Sequence, residues 1–134
     1  MTTSIKIKRN QSLEQRKINK KSYYDFGIRS ELIAKIFLRI KFYKIIATRF
    51  KNRFGEIDII ASKGNNLIFI EVKARSGKNI SLDDIFSLRQ SIRIKSGAEF
   101  FLNRNKNFAN CNYRFDLITV SKLGFCRHYK NFWQ

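Results

Sequence analysis

The chain alternates between stretches with helical and extended spacing of apolar residues. Leu32, Ile33, Ile36, Phe37 and Ile40 recur on one stripe, with Lys35, Arg39 and Lys41 off it, predicting an amphipathic helix with Ser30 as its N-cap. Residues 43–50 read as a strand and 51–55 as a polar turn. Two β-rich runs, 56–61 and 67–74, are joined by residues 62–66, where Gly64 and Asn65 favour a tight reversal, so they predict a hairpin. The second run is apolar on both faces, as expected of a central strand covered on each side. A long helix is expected over 83–103, with Ser81 as cap, Asp83 and Asp84 in its first turn, and Ile85, Leu88, Ile92, Phe101 and Leu102 toward the core. Strands at 113–120 and 125–129 complete the order α-β-β-β-α-β-β, an α/β sandwich with a mixed sheet flanked by helices.

Residues 1–22 differ from this pattern. Lys6, Lys8, Arg9, Arg16, Lys17, Lys20 and Lys21 are mixed with polar residues and Glu14, so the segment reads as a basic extension, disordered or helical. Residues 23–134 form the single domain; a chain of 134 residues leaves no room for a second.

Charge narrows the function. There are 28 Lys and Arg against 10 Asp and Glu, a formal net charge of +18, which points to a polyanionic partner. Nucleic acid, most simply DNA, fits best, because a dense cationic surface neutralises phosphates and releases their counterions. Cys111 and Cys126 have no second pair and only His128 beside them, so they make no zinc site and read as core residues or free thiols. No long uncharged apolar stretch is present to span a bilayer, and a cytoplasmic protein without integral membrane association is expected.

Against this cationic background, Glu56, Asp58 and Glu71 fall within one hairpin otherwise built of Ile, Leu, Phe and Val. Carboxylates among buried strands need a partner or a shifted pKa. With an even-numbered loop, Asp58 faces Glu71 and Glu56 faces Lys73, all four on one side of the sheet. Like charges opposed across a ladder repel, and a divalent cation turns that repulsion into coordination. Mg²⁺ or Mn²⁺ is the expected species, a hard cation that accepts one or two carboxylates. Such an ion polarises a phosphoryl oxygen and acidifies water, and Lys73 is placed to orient the attacking group or offset developing charge. The structural alternative is that Asp58 and Glu71 form salt bridges with Lys73 and Arg75.

The segments Phe54-Gly-Glu-Ile-Asp-Ile-Ile-Ala61 and Leu67-Ile-Phe-Ile-Glu-Val-Lys-Ala-Arg75 closely resemble the core signature of the bacterial YraN, or UPF0102, family. Gly27 and Glu31, the strand at 43–46, Arg89 and Gln90, residues 114–118 and the Phe-rich C-terminus extend the resemblance over about residues 27–133. It implies a restriction-endonuclease-like three-layer sandwich, distantly akin to Holliday-junction resolvases. In that superfamily a helix Glu, a strand Asp and a Glu-x-Lys build a metal-dependent nuclease centre. Carried over by position, these are Glu31, Asp58, Glu71 and Lys73, with Glu31, Asp58 and Glu71 as metal ligands. Arg89 stands where Lys is common, and the basic extension is longer than the family core needs.

The resemblance implies a metal-dependent endonuclease acting on DNA, with branched DNA among the candidate substrates; the rival is a non-catalytic nucleic-acid-binding module of the same fold. Superfamily members that cut two strands are often dimers, so it also leaves a homodimer open. Glu56 reads as a partner of Lys73 or an outer group, and Gln90 as a hydrogen-bonding residue within reach or a solvent-facing one. Glu31 serves equally as a favourable first-turn acid. His128 and Asp116 read as structural groups, and Phe132 and Trp133 as a terminal hydrophobic anchor.

Overall fold

The computed structural model describes residues 2–75 and 87–133. In chain order the elements are α1 (Thr2–Ile40), β1 (Lys44–Asn52), β2 (Gly55–Lys63), β3 (Asn66–Arg75), α2 (Leu88–Arg104), a 3-10 turn at Lys106–Phe108, β4 (Asn112–Ser121) and β5 (Cys126–Trp133). The strands lie in the order β1-β2-β3-β4-β5, with β3 and β4 parallel and the other neighbours antiparallel. A parallel pair requires a crossover, and α2 lies on that connection. The result is the expected restriction-endonuclease-like sandwich, with α1 on one face of a mixed sheet and α2 on the other.

Strand alternation builds the two cores. Ile68, Ile70 and Val72 of β3 join Ala34 and Leu38 of α1, whereas Leu67 and Phe69 join Ile94, Ala98 and Phe101 of α2. The central strand is thus buried on both faces, as its unbroken apolar run predicted. The β2–β3 hairpin closes through Gly64 and Asn65 with Lys63 paired to Asn66, and Gly64 has φ +59°, the left-handed conformation this turn favours. At the C-terminus, Trp133 stacks on Phe115 at 5.5 Å, consistent with an anchoring role. Cys111 packs against the α2-side core and Cys126 against the α1-side core, both as free thiols.

The helices bury different stripes from those expected. In α1 the buried positions are Ser30, Ala34 and Leu38, with Ile33 and Phe37 packed beside them; Leu32, Ile36 and Ile40 face outward. Small side chains at Ser30 and Ala34 let the helix lie close to the sheet, a feature that a count of bulky apolar positions overlooks. Ser30 is not an N-cap. The helix runs without interruption from Thr2, and the Ser30 hydroxyl donates to the Phe26 carbonyl at 2.7 Å.

The second helix starts later than expected, at Leu88, because Ser87 is extended and its hydroxyl accepts from the Gln90 amide at 3.2 Å. Ser81, Asp83, Asp84 and Ile85 lie outside the described residues. Leu88 and Ile92 are exposed, and Ser91, Ile94, Gly97, Ala98 and Phe101 form the buried face. Here too small residues mark the contact. A Cβ on Gly97 would lie 2.9 Å from the Asn52 side chain and 3.2 Å from Ile57, so the glycine sets how closely α2 approaches the sheet.

Candidate metal centre

The β2–β3 ladder keeps the expected register from Lys63↔Asn66 to Ile59↔Ile70 and ends there. The facing pairs Asp58–Glu71 and Glu56–Lys73 are therefore not part of it, and the four side chains do not share one side of the sheet. The cause is a reversal of face at Asp58. Ile57 packs into the α2-side core and Ile59 into the α1-side core, although residues two apart in a regular strand point the same way. On the other edge of β2, the pairs Thr48↔Ile59 and Phe50↔Ile57 leave Arg49 opposite Asp58. Arg49 has φ +50°, a left-handed conformation that non-glycine residues seldom adopt.

The Asp58 carboxylate occupies the opening between strands. Its Oδ2 accepts the Val72 amide at 2.8 Å, taking the place of a ladder hydrogen bond. Toward α1 it lines a pocket of about 260 Å³ with Glu31, Lys35, Thr48 and Arg49. Glu31 is presented from the exposed edge of α1, and its Oε2 accepts Arg49 Nε at 2.7 Å. Carboxylate oxygens of Glu31, Glu56 and Asp58 lie within 4.8 Å of one another.

Glu71 approaches from the other side of the opening. It is buried, and its Oε1 accepts Gln90 Nε2 at 2.7 Å and lies 3.2 Å from Lys73 Nζ. Lys73 thus pairs with Glu71 rather than Glu56. Burial first, and then the adjacent Glu71 charge, push the Asp58 carboxyl up to about 8. Burial also raises Glu71, opposed by Lys73 and by a hydrogen bond in which Asp58 holds the proton. Without a cation, this pair tolerates proximity by retaining a proton.

The four residues selected from the sequence, Glu31, Asp58, Glu71 and Lys73, are gathered around one opening. Two residues whose place the sequence left open, Glu56 and Gln90, join them, and the structure adds Arg49. Glu56 belongs to the carboxylate group rather than to a salt bridge with Lys73; its alternation with Asp58 was the available signal. Gln90 faces Glu71, not solvent. Arg49 carried no distinguishing signal among so many cations, because its role depends on a backbone conformation that residue type does not announce.

A second buried polar group lies in β4 and β5, away from these carboxylates. Asp116 accepts Arg114 Nε at 3.0 Å and the Asn131 amide at 2.9 Å, and lies 2.7 Å from His128 Nε2. Arg114 also donates to the Tyr43 hydroxyl at 3.0 Å, tying the sheet to the end of α1. Asp116 is thus bonded to a backbone amide, as expected of it, and shares its carboxylate with His128 in one buried network.

Comparison with known proteins places the chain among relatives. The model of "Uncharacterised protein family UPF0102" matches residues 30–120. A UPF0102 protein of Rhizobium etli (strain CIAT 652) is 38% identical over 103 residues, covering 77% of this chain and 84% of the relative. One from Bartonella bacilliformis is 36% identical over 120 residues, covering 90% and 97%. One from Parvibaculum lavamentivorans is 34% identical over 111 residues, covering 83% of each. With the signature on β2 and β3 matched within this span, the chain belongs to the UPF0102 family.

Proposed function

We propose that the chain is a Mg²⁺- or Mn²⁺-dependent endonuclease that hydrolyses phosphodiester bonds in DNA. The observation that carries this reading is the opening between β2 and β3, where carboxylates from two strands and a helix, the buried Glu71 among them, converge beside a lysine in a protein of net charge +18. The donor set suits a hard divalent cation, being carboxylate oxygens throughout. Glu31, Asp58 and Glu71 are the proposed ligands, with Glu56 as an additional donor. When bound, the cation supplies positive charge to the phosphoryl group and acidifies water for attack.

The protein's own groups do the remaining work. The Val72 amide fixes one Asp58 oxygen, and Gln90 and Lys73 fix one Glu71 oxygen, so both carboxylates are held in place before substrate arrives. Lys73 also offers its ammonium to a phosphate oxygen as charge develops in the transition state. Arg49 and Lys35, on the α1 side of the pocket, are positioned to hold the flanking phosphate backbone.

The test is a panel of linear, nicked, branched and single-stranded DNA, each with and without Mn²⁺, using the parent chain and Glu71→Gln. The reading predicts cleavage only with the cation and a loss of at least about 100-fold in the variant, without loss of DNA binding. Binding without metal-dependent cleavage of any substrate would instead favour the non-catalytic module.

A further inference from the structure

We infer that the N-terminal part of α1 is a duplex-binding arm, which carries nucleic acid along one cationic face and holds it in a set relation to the carboxylate cluster. This deepens the proposed function and rests on nucleic acid being the substrate. From residue 3 to residue 25 every described side chain is exposed. Among the described residues, the side-chain hydrogen bonds of this segment, Ser12 to the Arg9 carbonyl and Gln15 to Asn19, stay within the helix. The arm also lies outside residues 30–120, where the family model matches.

Charge placement identifies the partner. Lys6, Arg9, Arg16, Lys17 and Lys20 fall within an arc of about 100° at 3.6 residues per turn, forming one stripe roughly 21 Å long. At 3.4 Å of duplex axis per phosphate on a strand, that length parallels about six phosphates. Lys8 and Lys21 flank the stripe, and across residues 2–25 the acids are Glu14 and Asp25.

The opposite face argues against a lipid surface. Ile7 and Ile18 are separated there by Gln11, Glu14 and Gln15, too polar a face to enter a membrane interface. Neither does the arm carry the heptad pattern of a helical dimer.

Continuity gives the arm its function. One helix carries both the stripe and Glu31, so Arg16 sits roughly 22 Å along the axis from the carboxylate site. Phosphates held along the stripe, from Lys20 to Lys6, therefore lie about five to eleven base pairs from the site. Affinity should depend on duplex extending that far.

The experiment compares the full parent chain with a full-length variant carrying Lys6→Gln, Arg9→Gln, Arg16→Gln, Lys17→Gln and Lys20→Gln, changes that touch exposed positions and preserve helix propensity. Circular dichroism checks that the helix content is retained. Affinity for an 8-base-pair hairpin duplex, too short to reach from the site along the whole stripe, and for 40-base-pair DNA is measured in EDTA over a series of KCl concentrations. The inference predicts a plot of log K against log[salt] shallower by about 4.5 in the variant, at roughly 0.9 for each of the five lost phosphate contacts. It also predicts that the parent gains at least tenfold in affinity from the longer duplex and the variant gains little. Equal salt slopes, or the same length dependence in both proteins, would overturn it. So would parent chain bound to phosphatidylserine vesicles that the 40-base-pair duplex fails to release. The nuclease reading is judged separately, by Mn²⁺-dependent cleavage at saturating DNA: cleavage with equal slopes defeats only the arm, whereas slopes that differ without cleavage defeat only the nuclease.

Discussion

Asp58 meets two opposed demands. Its oxygen must replace a missing strand hydrogen bond at Val72, and without a cation its carboxyl must hold beside Glu71 a proton that the unfolded chain releases at neutral pH. Asparagine keeps the acceptor and a donor toward Glu71 and removes the cost of taking up that proton. Asp58→Asn should therefore raise stability by about 0.5–2 kcal/mol in metal-free buffer while abolishing cleavage, the trade-off expected where function needs an unfavourable arrangement. Urea unfolding in EDTA beside a cleavage assay checks both; a less stable variant would show that the carboxylate pair is not a source of strain.

Asp116 presents the opposite case. Burial acts to raise its pKa, but His128, Arg114 and the Asn131 amide outweigh burial and lower it. The native carboxylate then binds fewer protons than the unfolded one. Its contribution is present above the ordinary Asp value near 3.8 and is lost as pH falls through the lower folded value. Asp116→Ala should cost about 3 kcal/mol at neutral pH by leaving its partners buried and unpaired, and should flatten the acid limb of a stability–pH curve. An unaltered acid limb would contradict this role. These residues also show what residue type can convey. Clustered carboxylates in an apolar hairpin were legible because their cost is visible in the sequence, whereas Arg49 and the Asp116 network depend on approaches made only by the fold.

At the scale of elements, the strands and the mixed sheet were readable because β3 must be covered on both sides and the Gly64–Asn65 reversal sets its register with β2. The helix faces were not, since the contacts are made by Ser30, Ala34, Ser91, Gly97 and Ala98 rather than by the bulkiest side chains. Nor was the end of the β2–β3 ladder, because no residue in Glu56-Ile-Asp-Ile-Ile marks a reversal of face. Gly97→Val tests the packing account directly. The added bulk must displace Asn52, Ile57 or the helix itself, at a cost of about 1–3 kcal/mol by thermal or urea unfolding. Ser87→Ala should cost about 1 kcal/mol, by removing the cap on the helix that carries Gln90. Neutral effects at both positions would contradict the placement of α2.

For the whole molecule, the proposed function gives the net charge of +18 and the carboxylate opening complementary ends: cations would bring a polyanion to the surface, and the acidic centre would act on it there. The positive field also favours high sensitivity of association to salt. The centre itself is tested most directly by isothermal calorimetry of Mn²⁺ with the full parent chain and with Asp58→Asn, in the absence of DNA. The account predicts saturable cation uptake by the parent and at least tenfold weaker uptake by the variant, with a matching Mn²⁺-dependent rise in melting temperature for the parent alone. No saturable uptake by the parent, or equal uptake by both, would contradict it.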